Sequence, residues 1–190
     1  MKSVFIVIGG SVAAGKTTLA YKLKNYWQTT HHQTSHVIED DTERRTYLGY
    51  SLKQPMRGDE YSDAINFKMQ TIMDEKTSHF LAKIECVIRT IVRNSEAEYH
   101  ANKVFADERN AEFIGIFLKV SEDNIKQRIL SRGQERETLN ELSLEMGHAS
   151  DVDIGILEKL PIPNFIPAGW IIIDADQEHD KVFEDVIAAL

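Results

Sequence analysis

Residues 4–18 read VFIVIGGSVAAGKTT. The first five, Val4 to Ile8, form an uninterrupted apolar run, which is typical of a strand covered on both faces in a parallel sheet. Glycines end this run, and from Lys16 to about Gln28 the pattern becomes helical. A buried strand, a glycine-rich turn and a helix in this order predict the first unit of an α/β fold.

The rest of the chain continues the same alternation of apolar runs and helical patterns, which is typical of βαβ units. Four further strands are predicted, at Ser35–Ile38, Cys86–Val92, Phe113–Val120 and Trp170–Ile173. A rigid connecting loop is predicted around the cluster of Pro161, Pro163 and Pro167. We therefore expect one three-layer α/β domain over residues 1–190, with a mostly parallel five-stranded sheet.

The helix that follows the third strand is predicted from a capping-box pattern, Ser95 and Glu98. Its expected inner face consists of Ala97, Ala101, Val104 and Phe105.

Composition excludes several classes of protein. The chain has 190 residues, of which 42% are hydrophobic and 27% charged, an ordinary globular profile. The net charge of −8 argues against broad nucleic-acid or membrane binding, although a local basic pocket stays compatible with it. No apolar run approaches the roughly 18 residues of a membrane span, and the run after Lys2 is too short for a signal peptide. The expectation is a soluble cytoplasmic protein, with no signal for any oligomeric state.

Potential metal-ligating side chains are few. Cys86 is the single cysteine, so the chain has no intramolecular disulfide and no cysteine-based zinc site, and we interpret it as a small core residue. His31, His32 and His36 lie in a polar connection with no helix to align the first two, and are interpreted as surface residues.

The turn after the first strand, Gly10 to Thr17, fits the pattern G-x-x-x-x-G-K-[ST]. Glycines at its two ends allow backbone amides to turn inward and approach phosphate oxygens, and the following helix start adds positive potential. Lys16 is predicted to reach the β- and γ-phosphates, and the Thr17 hydroxyl to bind Mg²⁺. The predicted nucleotide-binding residues are Gly10, Ser11, Val12, Ala13, Ala14, Gly15, Lys16, Thr17 and Thr18.

A charged segment, residues 40–45, follows the second strand with the sequence DDTERR. Ligands of open α/β sheets collect at the carboxyl ends of the strands, so a carboxylate here can accept the proton of an attacking hydroxyl. An arginine three residues later can hold an acceptor or a transferring phosphoryl group. The alternative is a solvated helix start, with Asp40 or Asp41 as its cap.

Four segments together resemble the small P-loop kinases that include chloramphenicol phosphotransferase, gluconate kinase and the kinase domain of phage polynucleotide kinase. These segments are GGSVAAGKTT, DTERRTYLG, IKQRILSRG and SDVDIGILEKL. The resemblance implies a P-loop NTPase fold with a helical lid at about residues 128–150, and ATP with Mg²⁺ as ligands. It places the family's D-x-x-R pattern on Asp41, the implied general base, and Arg44, the implied substrate or phosphate ligand. Asp40 is the second candidate for the base.

Two further arginines and one substitution bear on this site. Arg128 and Arg132 are four residues apart and share a helix face, so they are either lid arginines that touch the phosphates, as the resemblance implies, or a basic helical turn. The third strand lacks the aspartate that the family commonly carries, and Thr90 stands at about that place. Thr90 can still donate a hydrogen bond to a substrate, Arg93 can take a role facing a phosphate, and Asp40 or Asp41 can hold Mg²⁺ through water.

Three functions compete. The first is an ATP-dependent kinase that phosphorylates a hydroxyl of a small molecule. The second is a regulatory protein that binds the nucleotide and transfers nothing, an idea that the missing aspartate motivates. The third, a kinase acting on nucleic-acid 5′ ends, is disfavoured by the acidic charge because a polynucleotide needs a basic track.

Overall fold

The computed structural model describes residues 2–11, 13–51, 62–91, 96–128, 131 and 168–190, without the side chains of 96–98. The strands in these ranges are β1 (Val4–Gly10), β2 (Ser35–Glu39), β3 (Cys86–Thr90), β4 (Glu112–Lys119) and β5 (Ile171–Asp174). The helices are α1 (Lys16–Thr30), α2 (Asp40–Leu48), α3 (Asp63–Leu81), α4 (Glu96–Glu108), α5 (residues 122–128) and α6 (His179–Ala189).

The strands form a single parallel sheet with the order β2-β3-β1-β4-β5. β1 is therefore central, which agrees with its continuous apolar sequence and complete burial. The register places Ile8 of β1 beside Thr90 of β3, and Thr90 beside Glu39 of β2. The predicted α/β fold with five strands is confirmed, and the sheet is parallel throughout the described ranges.

Helices cover both faces of the sheet and create two apolar layers. One layer packs Leu19, Leu23 and Trp27 of α1 and Val186 of α6 against the even-numbered residues of β1. The other packs side chains of α3 and α4 against Phe5 and Val7. Alternate residues of one strand thus serve opposite layers, as the period of two requires.

The predicted inner face of α4 was wrong at two of its four positions. Ala101 and Val104 are exposed, whereas Tyr99, Asn102 and Ala106 are buried. Phe105 does pack against the buried cluster, while Ser95 and the side chain of Ala97 lie outside the described residues. The prediction failed because it followed aliphatic residues, and the true stripe contains an asparagine and a tyrosine.

Predicted element boundaries agree with the structure within two residues at the described ends. The sequence analysis did not decide whether the charged segment after β2 begins a helix. The charged segment after β2 forms α2, which begins at Asp40, ends at Leu48 and is followed by Gly49 in the left-handed conformation. The proline loop and most of the predicted lid lie outside the described residues. None of the helices described here has both the length and the apolar character needed to cross a membrane.

Candidate active site

The turn between β1 and α1 has an unusual backbone. Gly10, Ala13 and Gly15 all have positive φ angles, of 136°, 59° and 88°. For Ala13 the left-handed conformation costs roughly 1–2 kcal/mol, and such strain concentrates at functional sites. Val12 lies outside the described residues.

Both glycines of the motif are favoured by their surroundings. A Cβ atom at Gly10 would lie 2.6 Å from the carbonyl oxygen of Leu118, far inside contact distance. At Gly15 it would lie 3.1 Å from the Cε1 atom of His179, in addition to the strain of the positive φ. The backbone of β4 thus leaves no room for a side chain at Gly10, and the positive φ together with the His179 ring disfavours one at Gly15.

Lys16 places its ammonium group at the loop itself. Its Nζ atom donates hydrogen bonds to the carbonyl oxygens of Gly10 at 2.9 Å and Ser11 at 2.6 Å. The first turn of α1, which is described throughout, carries no acidic side chain to oppose an anion. The Lys16 ammonium and the N-terminus of the 15-residue helix α1 thus place positive potential at this loop, the kind of potential that favours an anion.

A carboxylate that the sequence analysis did not single out, Glu39, lies at the carboxyl end of β2 and contacts α1. It pairs in register with Thr90, and residues in parallel register point to the same face, here the α1 face. Its Oε2 atom accepts a hydrogen bond from the Tyr21 hydroxyl of α1 at 3.3 Å. Tyr21 follows Thr17 by one helical turn, so the two share a helix face. Burial and, secondarily, the Glu39 carboxylate raise the pKa of Tyr21 above its usual value.

The acidic and basic residues of α2 form two ion pairs, and the pairs have different exposure. Arg44 donates to the carboxylate of Asp40 from Nε at 3.1 Å and from Nη2 at 2.9 Å, and both side chains are buried. Arg45 donates from Nε to Asp41 at 2.9 Å, and the Asp41 side chain is 58% exposed. Asp41 and Arg44, which the resemblance placed together, thus have separate partners.

Arg128 connects two parts of the site. Its guanidinium donates from Nη1 to the carbonyl of Ala13 at 3.2 Å and from Nη2 to that of Ala175 at 2.6 Å. It therefore joins the phosphate loop to the segment between β5 and α6. Whether Arg128 also touches phosphates stays a prediction, and Arg93 and Arg132 lie outside the described residues.

The cysteine and the histidine described next, which the sequence analysis did not assign to the site, lie away from the phosphate loop. Cys86 is buried on β3, and burial raises the pKa of its thiol to about 12, as expected for an inert core residue. His36 is not a plain surface residue, because its ring stacks on Phe80 at 3.7 Å and its Nε2 atom lies 2.8 Å from Glu85. Among the described residues, no three histidine, cysteine or carboxylate side chains are placed to share a metal ion.

Comparisons with known proteins extend these findings. The chain matches no described protein family and no curated protein sequence. Among solved structures, it is similar to the APS kinase CysC of Mycobacterium tuberculosis in complex with AMPPNP and APS, at 12% identity and a TM-score of 0.64, with 98% of this chain and 96% of that chain covered.

Two other solved structures are similar over nearly the whole chain. A sugar kinase from Janibacter sp. HTCC2649 is 13% identical with a TM-score of 0.57, and covers 98% of this chain and 93% of its own. A gluconokinase from Sinorhizobium meliloti 1021 is 16% identical with a TM-score of 0.55, and covers 98% of this chain and 90% of its own. At such identities the likeness concerns the fold, and on that level the resemblance seen in the sequence is confirmed: the chain has the fold of the small P-loop kinases.

Proposed function

We propose that this protein is an ATP-dependent kinase that transfers the γ-phosphoryl group to a hydroxyl of a small molecule. The observation that carries the proposal is the loop between β1 and α1, where Lys16 is held against the carbonyl groups of Gly10 and Ser11. A lysine at this point of a glycine-rich loop can neutralise the outer phosphates of a nucleotide triphosphate.

The proposed reaction is a direct displacement at phosphorus. The acceptor oxygen forms a bond to the γ-phosphorus, the bond to the β,γ-bridging oxygen breaks, and ADP leaves with that electron pair. Asp41 takes the proton of the acceptor hydroxyl, because its carboxylate is the accessible one of the two candidates, whereas Asp40 is buried against Arg44. Lys16 and the lid arginines, Arg128 and Arg132, offset the charge on the phosphates.

The residues present also fit a magnesium ion. The Thr17 side chain is exposed at the start of α1, and Glu39 contacts Tyr21, which lies one helical turn after Thr17 on the same helix. We propose that Thr17 holds the ion directly and that Glu39 holds it through water, in place of the aspartate missing at Thr90. A bound Mg²⁺ would shield the phosphate charge from the attacking oxygen.

The test is nucleotide turnover with a panel of hydroxyl compounds. A kinase releases ADP and forms a phosphorylated product only when an acceptor is present. A regulatory protein binds the nucleotide without acceptor-dependent turnover, and that result would replace the proposal. Transfer to a polynucleotide 5′ end would instead support the third function, against the expectation from the charge of −8.

Replacement of Glu39 tests the magnesium assignment. We expect Glu39→Gln to weaken the affinity of the complex with a nonhydrolysable ATP analogue for Mn²⁺ by about 10-fold or more, the usual effect of losing an outer ligand. Electron paramagnetic resonance titration with Mn²⁺ measures this affinity directly. Glu112→Gln is the matched control, since Glu112 is an exposed residue at the amino end of β4, away from the carboxyl ends of the strands. Equal Mn²⁺ affinity in both variants would contradict the assignment.

A further inference from the structure

Helix α3 extends past the sheet edge at which the phosphate loop lies. It ends at Leu81 and β3 begins at Cys86, so the two elements run in opposite directions. Asp74 of α3 is level with Arg89, because the two form an ion pair, and β3 continues for only one residue beyond Arg89. The helix residues before Asp74 extend for roughly 16 Å at 1.5 Å per residue. Their side chains therefore border the space beyond the carboxyl edge, where a phosphoryl acceptor must approach the nucleotide.

This projecting half of α3 carries a polar stripe. Asn66, Gln70 and Asp74 follow each other at intervals of four residues and so share one face of the helix. Gln70 donates from Nε2 to both carboxylate oxygens of Asp74, each at 3.1 Å. Asp74 also accepts a hydrogen bond from Nη1 of Arg89 at 2.6 Å. A continuous network thus leads from the interior of the sheet towards the proposed acceptor space.

Arg89 is the unusual member of this network. Its side chain is 1% exposed, and it lies on β3 between Val7 and Ile38 in an otherwise apolar layer. Its buried Nε atom meets no hydrogen-bond acceptor within the described part of the chain. An unpaired buried donor costs about 1–3 kcal/mol, and a buried ion pair is often no more stabilising than apolar residues of the same volume. Stability of the fold therefore does not explain an arginine at this position.

Within the described ranges, the charges of this network are balanced. Arg89 is neutralised by Asp74, and the other buried guanidinium described above, that of Arg44, is paired with Asp40. From Asp63 to Asp74 the helix carries two carboxylates and a single cation, Lys68. These charges offer no excess positive potential to an anionic acceptor. Amide and carboxylate groups can both accept hydrogen bonds and the amide can also donate, which suits hydroxyl groups that do both.

We propose that the acceptor is an uncharged polyhydroxyl compound, with Gln70 and Asp74 as its specificity-determining contacts and Arg89 as the positioning residue that fixes Asp74. This inference rests on the proposed kinase function and adds the substrate class. A site built to bond hydroxyl groups discriminates strongly, because an analogue without them leaves buried polar groups unpaired.

The first arm of the test compares classes of acceptor. Glucose, myo-inositol and glycerol represent uncharged polyols, gluconate and glucose 6-phosphate represent their anionic counterparts, and benzyl alcohol represents an apolar hydroxyl. We expect kcat/KM to be about 10-fold or more higher for at least one uncharged polyol than for every compound of the other classes. A preference for an anionic or apolar acceptor would overturn the inference while leaving the kinase proposal intact. If none of the compounds is phosphorylated, the result counts against both the substrate inference and the kinase proposal.

The second arm uses variants on α3 with the best acceptor. Gln70→Leu and Asp74→Asn are expected to raise the acceptor KM by about 10-fold or more, while the ATP KM and acceptor-independent hydrolysis stay within about twofold. Glu75→Gln is the matched control, because it makes the same carboxylate-to-amide change at the next residue. An unchanged acceptor KM in both Gln70→Leu and Asp74→Asn would overturn the assignment.

The role of Arg89 has its own readout. Arg89→Met should raise the acceptor KM as Asp74→Asn does, and Arg89→Lys should restore most of the affinity by keeping a cation next to Asp74. If Arg89→Met does not fold, Gln70→Leu still tests the substrate contact, because Gln70 is only half-buried. An acceptor KM for Arg89→Lys as high as that for Asp74→Asn would exclude the positioning role of Arg89.

Discussion

Lys16→Ala is expected to lower the rate of phosphoryl transfer by about 10²–10³-fold, the usual effect of removing one preorganised donor from a developing charge. The Nζ atom lies within hydrogen-bond distance of two loop carbonyls, so it is positioned before the nucleotide arrives. Its loss removes both the ammonium charge and the contact that holds it in the loop. We also expect weaker ATP binding, measured by calorimetry, because the outer phosphates lose their cation.

Lys24→Ala is the matched control for this experiment. Lys24 lies two turns further along α1 and is separated from the loop by the length of those turns, so its removal should leave transfer within about twofold of the wild-type rate. Unchanged ATP affinity in Lys16→Ala would contradict nucleotide binding by this loop, and with it both the kinase and the regulatory interpretation.

The phosphate loop could be predicted from the sequence because every part of it is local. A buried strand, the two glycines of the motif, a lysine and the start of a helix lie within fifteen consecutive residues, and the backbone geometry that they require is the geometry observed at Gly10 and Gly15. The order of the parallel strands was not predicted, since apolar runs indicate strands without indicating their neighbours.

Features that depend on strand register were missed for this reason. Glu39 comes next to Thr90 only because β2 pairs with β3, and nothing in the local sequence distinguishes Glu39 from the carboxylates that follow it. The ion pair between Arg89 and Asp74 likewise joins residues of different elements. An arginine inside an apolar strand was visible in the sequence as a signal, and it would have justified a search for a partner on a neighbouring helix.

The choice between Asp40 and Asp41 shows a different limit. These two neighbouring residues are both aspartates, yet their environments differ because successive side chains of a helix point about 100° apart. One of the two faces the protein interior, where Arg44 binds it, and the other faces solvent beside Arg45. Only the direction of the helix relative to the sheet determines which is which.

Asp41→Asn and Asp40→Asn are therefore expected to fail in different ways. An asparagine at position 41 cannot take the proton of the acceptor, so kcat should fall by about 10²–10⁴-fold, with ATP affinity and the free energy of unfolding close to those of the wild type. An asparagine at position 40 leaves the Arg44 charge buried without its partner, which should cost about 3–5 kcal/mol of unfolding free energy. Steady-state kinetics measure the fall in kcat and urea unfolding measures the loss of unfolding free energy, so the two effects are determined independently for both variants.

Glu43→Gln serves as the control for both variants, because it removes a carboxylate from the same helix. That carboxylate pairs with Lys76 of α3 and not with an arginine of α2. The reverse outcome would exchange the two roles. If Asp41→Asn transferred phosphate at the wild-type rate while Asp40→Asn stayed folded and inactive, the base would be the buried carboxylate, and Arg44 would have to release it during the reaction. Exposure favours Asp41, since proton transfer requires that the acceptor hydroxyl come within hydrogen-bond distance of the base.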